Sequence, residues 1–159
     1  NPQSVEKVTQ VVQLLQHLSL DSAGTDASIQ VSMTHGDFQP ANILVNGEGT
    51  WLIDWENSRE RQSGYDWLVF ESGARRNHSF SSRLLQLTRA TPPTWTGITF
   101  DSPANRKRHI AIFLLEEIAA KLNEVAHPAI PALGGDFLNL VDEVTKWQNE
   151  TSKKTAIAP

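Results

Sequence analysis

A mainly α fold carrying one short β-hairpin is the class this sequence predicts, on three observations. Ser4 to Leu20 sets Val5, Val8, Val11, Val12, Leu14, Leu15 and Leu18 close to the helical period. A longer stretch, from about Pro103 to Ala126, does the same with Ile110, Phe113, Leu114, Leu115, Ile118 and Leu122. Between them, Ile43 to Val45 and Thr50 to Ile53 are short apolar runs joined by Asn46-Gly47-Glu48-Gly49, a strong hairpin turn. With 39% hydrophobic residues in 159, the chain suffices for one compact domain with a core. That domain is expected over residues 1–148, with 149–159 as a frayed polar tail.

Taken in order, Ser4 is placed as the N-cap of the first helix. Asp21 to Ser28, rich in Ser, Ala, Gly, Thr and Asp, reads as a loop, and Ile29 to Met33 as a short strand or extended segment. After the hairpin, the polar run Asn57 to Gly64 reads as a loop. Tyr65 then begins a helix to about Ala74, with Asp66 near its start. Ser79 to Arg89 is another helix, ended by Thr91-Pro92-Pro93, because proline cannot continue it. Thr94 to Asp101 is irregular. Pro103 suits the first turn of the long helix. His127 to Gly135 is a turn-rich loop, and Asp136 caps a last helix to about Trp147.

Composition excludes several classes. A formal charge of -4 gives no basic footprint for a nucleic acid. The absence of cysteine rules out a disulfide framework or thiolate metal site and suits a reducing compartment, so a soluble cytoplasmic protein is expected. No stretch approaches the ~18 apolar residues of a membrane span, and no membrane partner is expected. The first residue is Asn1 rather than Met, and the expectation is that something upstream has been removed.

The chemistry lies between Met33 and Glu56. Asp37 is followed five positions later by Asn42, and Asp54 closes the second apolar run. A phosphoryl-transfer site needs a carboxylate that orients an attacking hydroxyl and accepts its proton, and oxygen ligands for magnesium on the nucleotide phosphates. Asp37 suits the first role, Asn42 and Asp54 the second. Folding the hairpin returns Asp54 to Asn42, while Pro40 stiffens the intervening loop.

The run His35-Gly36-Asp37-Phe38-Gln39-Pro40-Ala41-Asn42-Ile43-Leu44, followed by Leu52-Ile53-Asp54-Trp55-Glu56, resembles the aminoglycoside phosphotransferase and choline kinase family. That family is a branch of the protein-kinase-like fold with His-Gly-Asp in its catalytic loop. The resemblance implies Asp37 as catalytic base, Asn42 and Asp54 as Mg2+ ligands, and ATP as phosphoryl donor to the hydroxyl of a small molecule. His35 would be a scaffold residue of the loop. Asp66 has two readings, a brace accepting backbone hydrogen bonds from the loop or a plain helix cap. Glu56 likewise either faces the acceptor substrate or is an exposed structural acid. Ala41 stands where many family members have Gly, a one-carbon change.

The resemblance spans the chain but only half the family's architecture. Only 34 residues precede His35, with Gly24 as their one glycine, and no Gly-rich strand or phosphate-pairing lysine is visible. The fold expected is therefore the protein-kinase-like C-terminal lobe, with the N-terminal nucleotide lobe missing and supplied in cis or in trans. The alternative is a non-catalytic binding or regulatory module derived from such a lobe. An isolated lobe is also expected to expose apolar surface.

Other features weigh less. His17, among leucines, reads as a structural side chain. The basic cluster Asn105-Arg106-Lys107-Arg108-His109 opposes the dipole of its helix and reads as a solvated face or an anion site. The five tryptophans, Trp51 and Trp55 included, read as core, with a quaternary-ammonium site as the alternative.

Overall fold

The structure, a computed structural model, describes residues 2–20, 28–76, 79–92, 94, 102–126 and 134–155. It is mainly helical with two small antiparallel ribbons. The expected irregular segment Thr94 to Asp101 and the loop from His127 lie almost wholly outside the described residues. The chain divides into two units, one of Asn1–Thr25 with Lys107–Pro159, the other Asp26–Arg106.

The first unit is helical. Helix α1 (Pro2–Leu20) packs on α5 (Gly134–Thr155), and between them in sequence runs α4 (Pro103–Ala126), in this unit from Lys107. Val11 and Leu15 of α1, Ile110, Phe113, Leu114 and Ile118 of α4, and Phe137, Val141, Val144 and Trp147 of α5 are buried. These are steps of three and four, one stripe of each helix. Lys7 pairs with Asp142, and Arg108 Nε donates to the Ser19 carbonyl at 3.1 Å.

Several expected boundaries move. Helix α1 starts at Pro2, so Ser4 sits inside it and not at its cap; Pro at the first turn loses no intrahelical hydrogen bond. Helix α5 begins at Gly134, which puts Asp136 in its first turn rather than at its cap, and it continues to Thr155. The expected frayed tail is thus helical over Asn149–Thr155, where the hydroxyls of Thr151 and Ser152 bond back to the Gln148 carbonyl at 2.9 and 3.0 Å. Val5, Leu14 and Leu122, placed on apolar faces, are exposed. On α1 the buried stripe is narrower than the periodic one.

His109 is buried, and that burial, aided by the Arg108 charge, pushes its pKa down to about 4. Its unfolded form binds a proton below about 6.5, its folded form only near 4. Between those values the unfolded state holds more protons, so stability falls as the solution is acidified. Urea midpoints across this window should drop for the wild type and drop less for His109→Gln. Equal slopes would remove His109 as the cause.

The second unit carries both ribbons. Strand β1 (Val31–Thr34) pairs with β4 (Arg59–Gln62) from Val31↔Gln62 to Thr34↔Arg59. Strand β2 (Ile43–Asn46) pairs with β3 (Gly49–Leu52) from Ile43↔Leu52 to Asn46↔Gly49. At the turn, Asn46 Oδ1 accepts from the backbone N–H of Glu48 and Gly49 at 2.9 and 3.1 Å, the Asx geometry that favours asparagine there. Strand β4 replaces part of the loop expected over Asn57–Gly64. Its sequence, Arg-Glu-Arg-Gln, has no apolar alternation, yet Arg61 and Gln62 are buried.

Helix α2 (Tyr65–Ser72) packs on α3 (Phe80–Leu87), burying Tyr65, Trp67, Leu68 and Val69 with Phe80, Leu84 and Leu87. It stops two residues before Ala74 because Gly73, at φ 64, turns left-handed and donates to Phe70, while the Ala74 N–H reaches Val69. Ser102 caps α4, its Oγ accepting from the Asn105 N–H at 3.1 Å. Val31, Met33, Leu44, Val45 and Trp51 are exposed along the strands.

Candidate active site

All six sequence-derived candidates fall in the second unit. The chain leaves β1 at Thr34, a buried residue whose hydroxyl donates to the Arg59 carbonyl at 2.9 Å and accepts from Arg61 Nη1 at 2.7 Å. The next two backbone N–H groups, of His35 and Gly36, both donate to the Asp66 carboxylate, at 2.7 and 2.9 Å. Asp66 is the second residue of α2, whose N-cap position, Gly64, has no side-chain cap bond. Its carboxylate thus serves the loop rather than the helix cap.

His35 is 1% exposed and joins two segments. The Asp37 N–H donates to its Nδ1 at 3.2 Å, so Nε2 carries the proton and donates to the Ile53 carbonyl at 2.7 Å. Trp55 covers the ring at 4.8 Å between centroids, its own Nε1 donating to the Leu52 carbonyl at 2.8 Å. The candidate base and the residue preceding the candidate ligand Asp54 are therefore tied through one imidazole.

Asp37 receives three side-chain donors. Gln39 Nε2 and Asn42 Nδ2 reach Oδ2 at 2.8 and 2.9 Å, and Arg75 Nε reaches Oδ1 at 2.8 Å. Burial works to raise the Asp37 pKa, but the hydrogen bonds from Gln39, Arg75 and Asn42 and the Arg75 charge outweigh it, leaving it below the ordinary carboxylate value. Asp37 is a carboxylate at neutral pH.

Asn42, buried in a single 3-10 turn (Pro40–Asn42), spends its amide nitrogen on Asp37, with a second contact to the Asp37 carbonyl at 2.9 Å. Its Oδ1 is the group left for a cation. The Asn42 carbonyl accepts from the Ile53 N–H at 3.0 Å, so the β2–β3 ladder brings Asp54 to the Asn42 end of the ribbon. Asp54 itself is exposed and left-handed, at φ 67 and ψ 56. A non-glycine residue held there stores strain, which tends to concentrate at functional positions.

Glu56 lies exposed in the turn Trp55–Asn57, and no hydrogen bond ties it to the other five residues. Among the described residues no group of three or more His, Asp or Glu is arranged to hold a metal. What the site offers is one amide oxygen and one carboxylate, hard donors that suit Mg2+ when phosphates and water complete its shell.

Four residues of the site were not singled out from the sequence: Thr34, Gln39, Arg61 and Arg75. Arg61 spans Thr34 and the Asn57 carbonyl, the latter at 3.1 Å, and lies over the Tyr65 ring at 4.4 Å. Arg75 follows the α2 cap, and the only sequence signal for it is Gly73, which reverses the chain toward the loop. Trp51 and Trp55, expected in the core, are 51% and 49% exposed. They flank the polar end of a two-stranded ribbon that has too little depth to bury an indole. Trp67 and Trp147 are core. Phe38 adds an aromatic contact with Phe70, at 5.6 Å.

No helix among the described residues is long and apolar enough to cross a membrane. Comparison with family models, with curated proteins and with solved structures finds no match for this chain.

Proposed function

We propose that this chain is the C-terminal catalytic lobe of a small-molecule kinase resembling the aminoglycoside phosphotransferase and choline kinase family. It would act in the cytoplasm, with a nucleotide lobe supplied in cis or in trans. The observation that carries the reading is the arrangement of Asp37 and Asn42: a carboxylate kept ionised by three donors, beside an amide whose oxygen is left over. The acceptor hydroxyl, hydrogen-bonded to Asp37, attacks the γ-phosphorus of ATP. The new O–P bond forms as the bond to the β,γ-bridging oxygen breaks, ADP leaves, and the hydroxyl proton passes to Asp37. Asn42 Oδ1 and the Asp54 carboxylate would hold Mg2+, which when bound neutralises charge on the phosphates. Glu56, exposed two residues beyond Asp54, would on this reading face the acceptor substrate.

Calorimetric titration of the polypeptide purified from its source tests this. ATP should bind only with Mg2+ present, and Asp54→Ala should weaken that binding by more than the ~10–100-fold typical of losing an outer-shell partner. Binding that ignores both the metal and Asp54 would refute the kinase reading and favour a non-catalytic module.

A further inference from the structure

The loop following α2 returns a guanidinium to the candidate base. Gly73 adopts φ 64, the Arg76 N–H closes onto the Gly73 carbonyl at 2.8 Å, and Arg75 is directed back to the loop after β1. There its Nε donates to Asp37 Oδ1 at 2.8 Å and its Nη2 to the Gly36 carbonyl at 2.9 Å. One planar group thus bridges the carboxylate and the backbone of the residue before it. The side chains are 24% and 18% exposed, partly withdrawn from water, where a charge-assisted bond is stronger.

Two things distinguish this pair from the exposed ion pairs of the helices. First, its geometry constrains orientation. An ionised carboxylate has about four lone-pair directions, and Arg75, Gln39 and Asn42 occupy three. Rotation of the carboxylate would break all three bonds at once, so its remaining direction is fixed in space. Second, the pair sits at the residue read as the base, where small displacements cost rate steeply.

We propose that Arg75 is a positioning residue for the phosphoryl transfer described above, holding the Asp37 carboxylate so that one acceptor direction stays turned to the substrate hydroxyl. The inference rests on the reading of Asp37 as the base. Lysine does not substitute, since a single ammonium lacks the fork that spans a carboxylate oxygen and a carbonyl.

The test is release of inorganic phosphate from MgATP, with water as acceptor, by the polypeptide from its source. Arg75→Ala should lower kcat on the order of 100-fold and leave the KM for MgATP unchanged. Arg75→Lys should stay low. Added guanidinium should restore Arg75→Ala, which also establishes that the variant is folded. In an Asp37→Asn background, Arg75→Ala should cost nothing further, because Arg75 acts through Asp37. Normal kcat in Arg75→Ala alongside an impaired Asp37→Asn overturns the role of Arg75 alone. So do losses that multiply in the double variant, or an Arg75→Ala loss that guanidinium leaves untouched. An Asp37→Asn protein as active as wild type, or wild type that releases no phosphate, overturns the kinase reading and this inference with it.

Discussion

Asp37→Asn is expected to lower kcat for phosphoryl transfer by about 100- to 10,000-fold, the range for removing a positioned base. The substitution is nearly isosteric, so what it removes is charge and acceptor capacity. Of the three donors on Asp37, Asn42 and Gln39 share one oxygen and Arg75 takes the other. An amide in its place turns an NH2 toward either Arg75 or the Gln39 and Asn42 pair, and donor then faces donor. The KM for MgATP should change little, because the residues proposed to hold Mg2+ are Asn42 and Asp54. Steady-state rates at saturating MgATP decide it, and retention of the wild-type rate would exclude Asp37 as base. The lowered pKa of Asp37 has a mechanistic side as well. A weakly basic carboxylate is adequate when the transition state is loose, since the hydroxyl then keeps its proton until late and mainly needs to be aimed.

Gly36→Ala should produce the second large effect, this time on folding. Gly36 has φ 85, a region L side chains rarely occupy, and a Cβ there would lie 2.4 Å from the Asn57 carbonyl oxygen and 2.8 Å from Arg61 Nη1. Neither neighbour yields cheaply. Asn57 is backbone, and Arg61 is buried, bonded to Thr34 and stacked on Tyr65. Strain of about 1–2 kcal/mol from the dihedral and about 1–3 kcal/mol from overpacking sum to ~2–5 kcal/mol. Against a typical total of ~5–15 kcal/mol, that is a large loss. Gly47→Ala is the control, since nothing lies within 4 Å of its Cβ position, and it should be nearly neutral. Urea denaturation of both variants checks this. Equal midpoints for Gly36→Ala and wild type would mean that the loop moves aside.

Local signals account for most of what the sequence made legible. The hairpin turn rests on Asn46 and two glycines, and its ladder follows, within one residue of the expected bounds. Helix α4 begins and ends where its proline and its periodicity place it. By contrast, β4 is a strand for tertiary reasons: an all-polar segment has no period to read, and it pairs with β1 because Arg61 and Gln62 find partners inside. Trp51 and Trp55 misled because side-chain size predicts burial only where an element has something to pack against. In the candidate site, Asp37, Asn42 and Asp54 are recognisable by spacing, whereas Arg75 lies 38 residues from Asp37, with only Gly73 to hint that the chain turns back toward it. Whether a motif's carboxylate is free, clamped or protonated depends on such distant partners.

The hydrogen bonds that build the constellation also bear on the order of events in folding. They close loops of 2 residues at His35 and Asp37, 18 at His35 and Ile53, 31 at His35 and Asp66, and 39 at Gly36 and Arg75. Because each doubling of loop length adds only ~0.6 kcal/mol of closure entropy, the longest of these costs little more than the intermediate ones. Only the His35–Asp37 contact is local; the other three are long-range, and contacts of high sequence separation form more slowly than local ones. Nascent chain that has emerged as far as Arg75 already contains every residue named in the constellation. During synthesis, those residues are present before α3, α4 and α5 have been made, whereas α2, which carries Asp66, gains its packing only with α3.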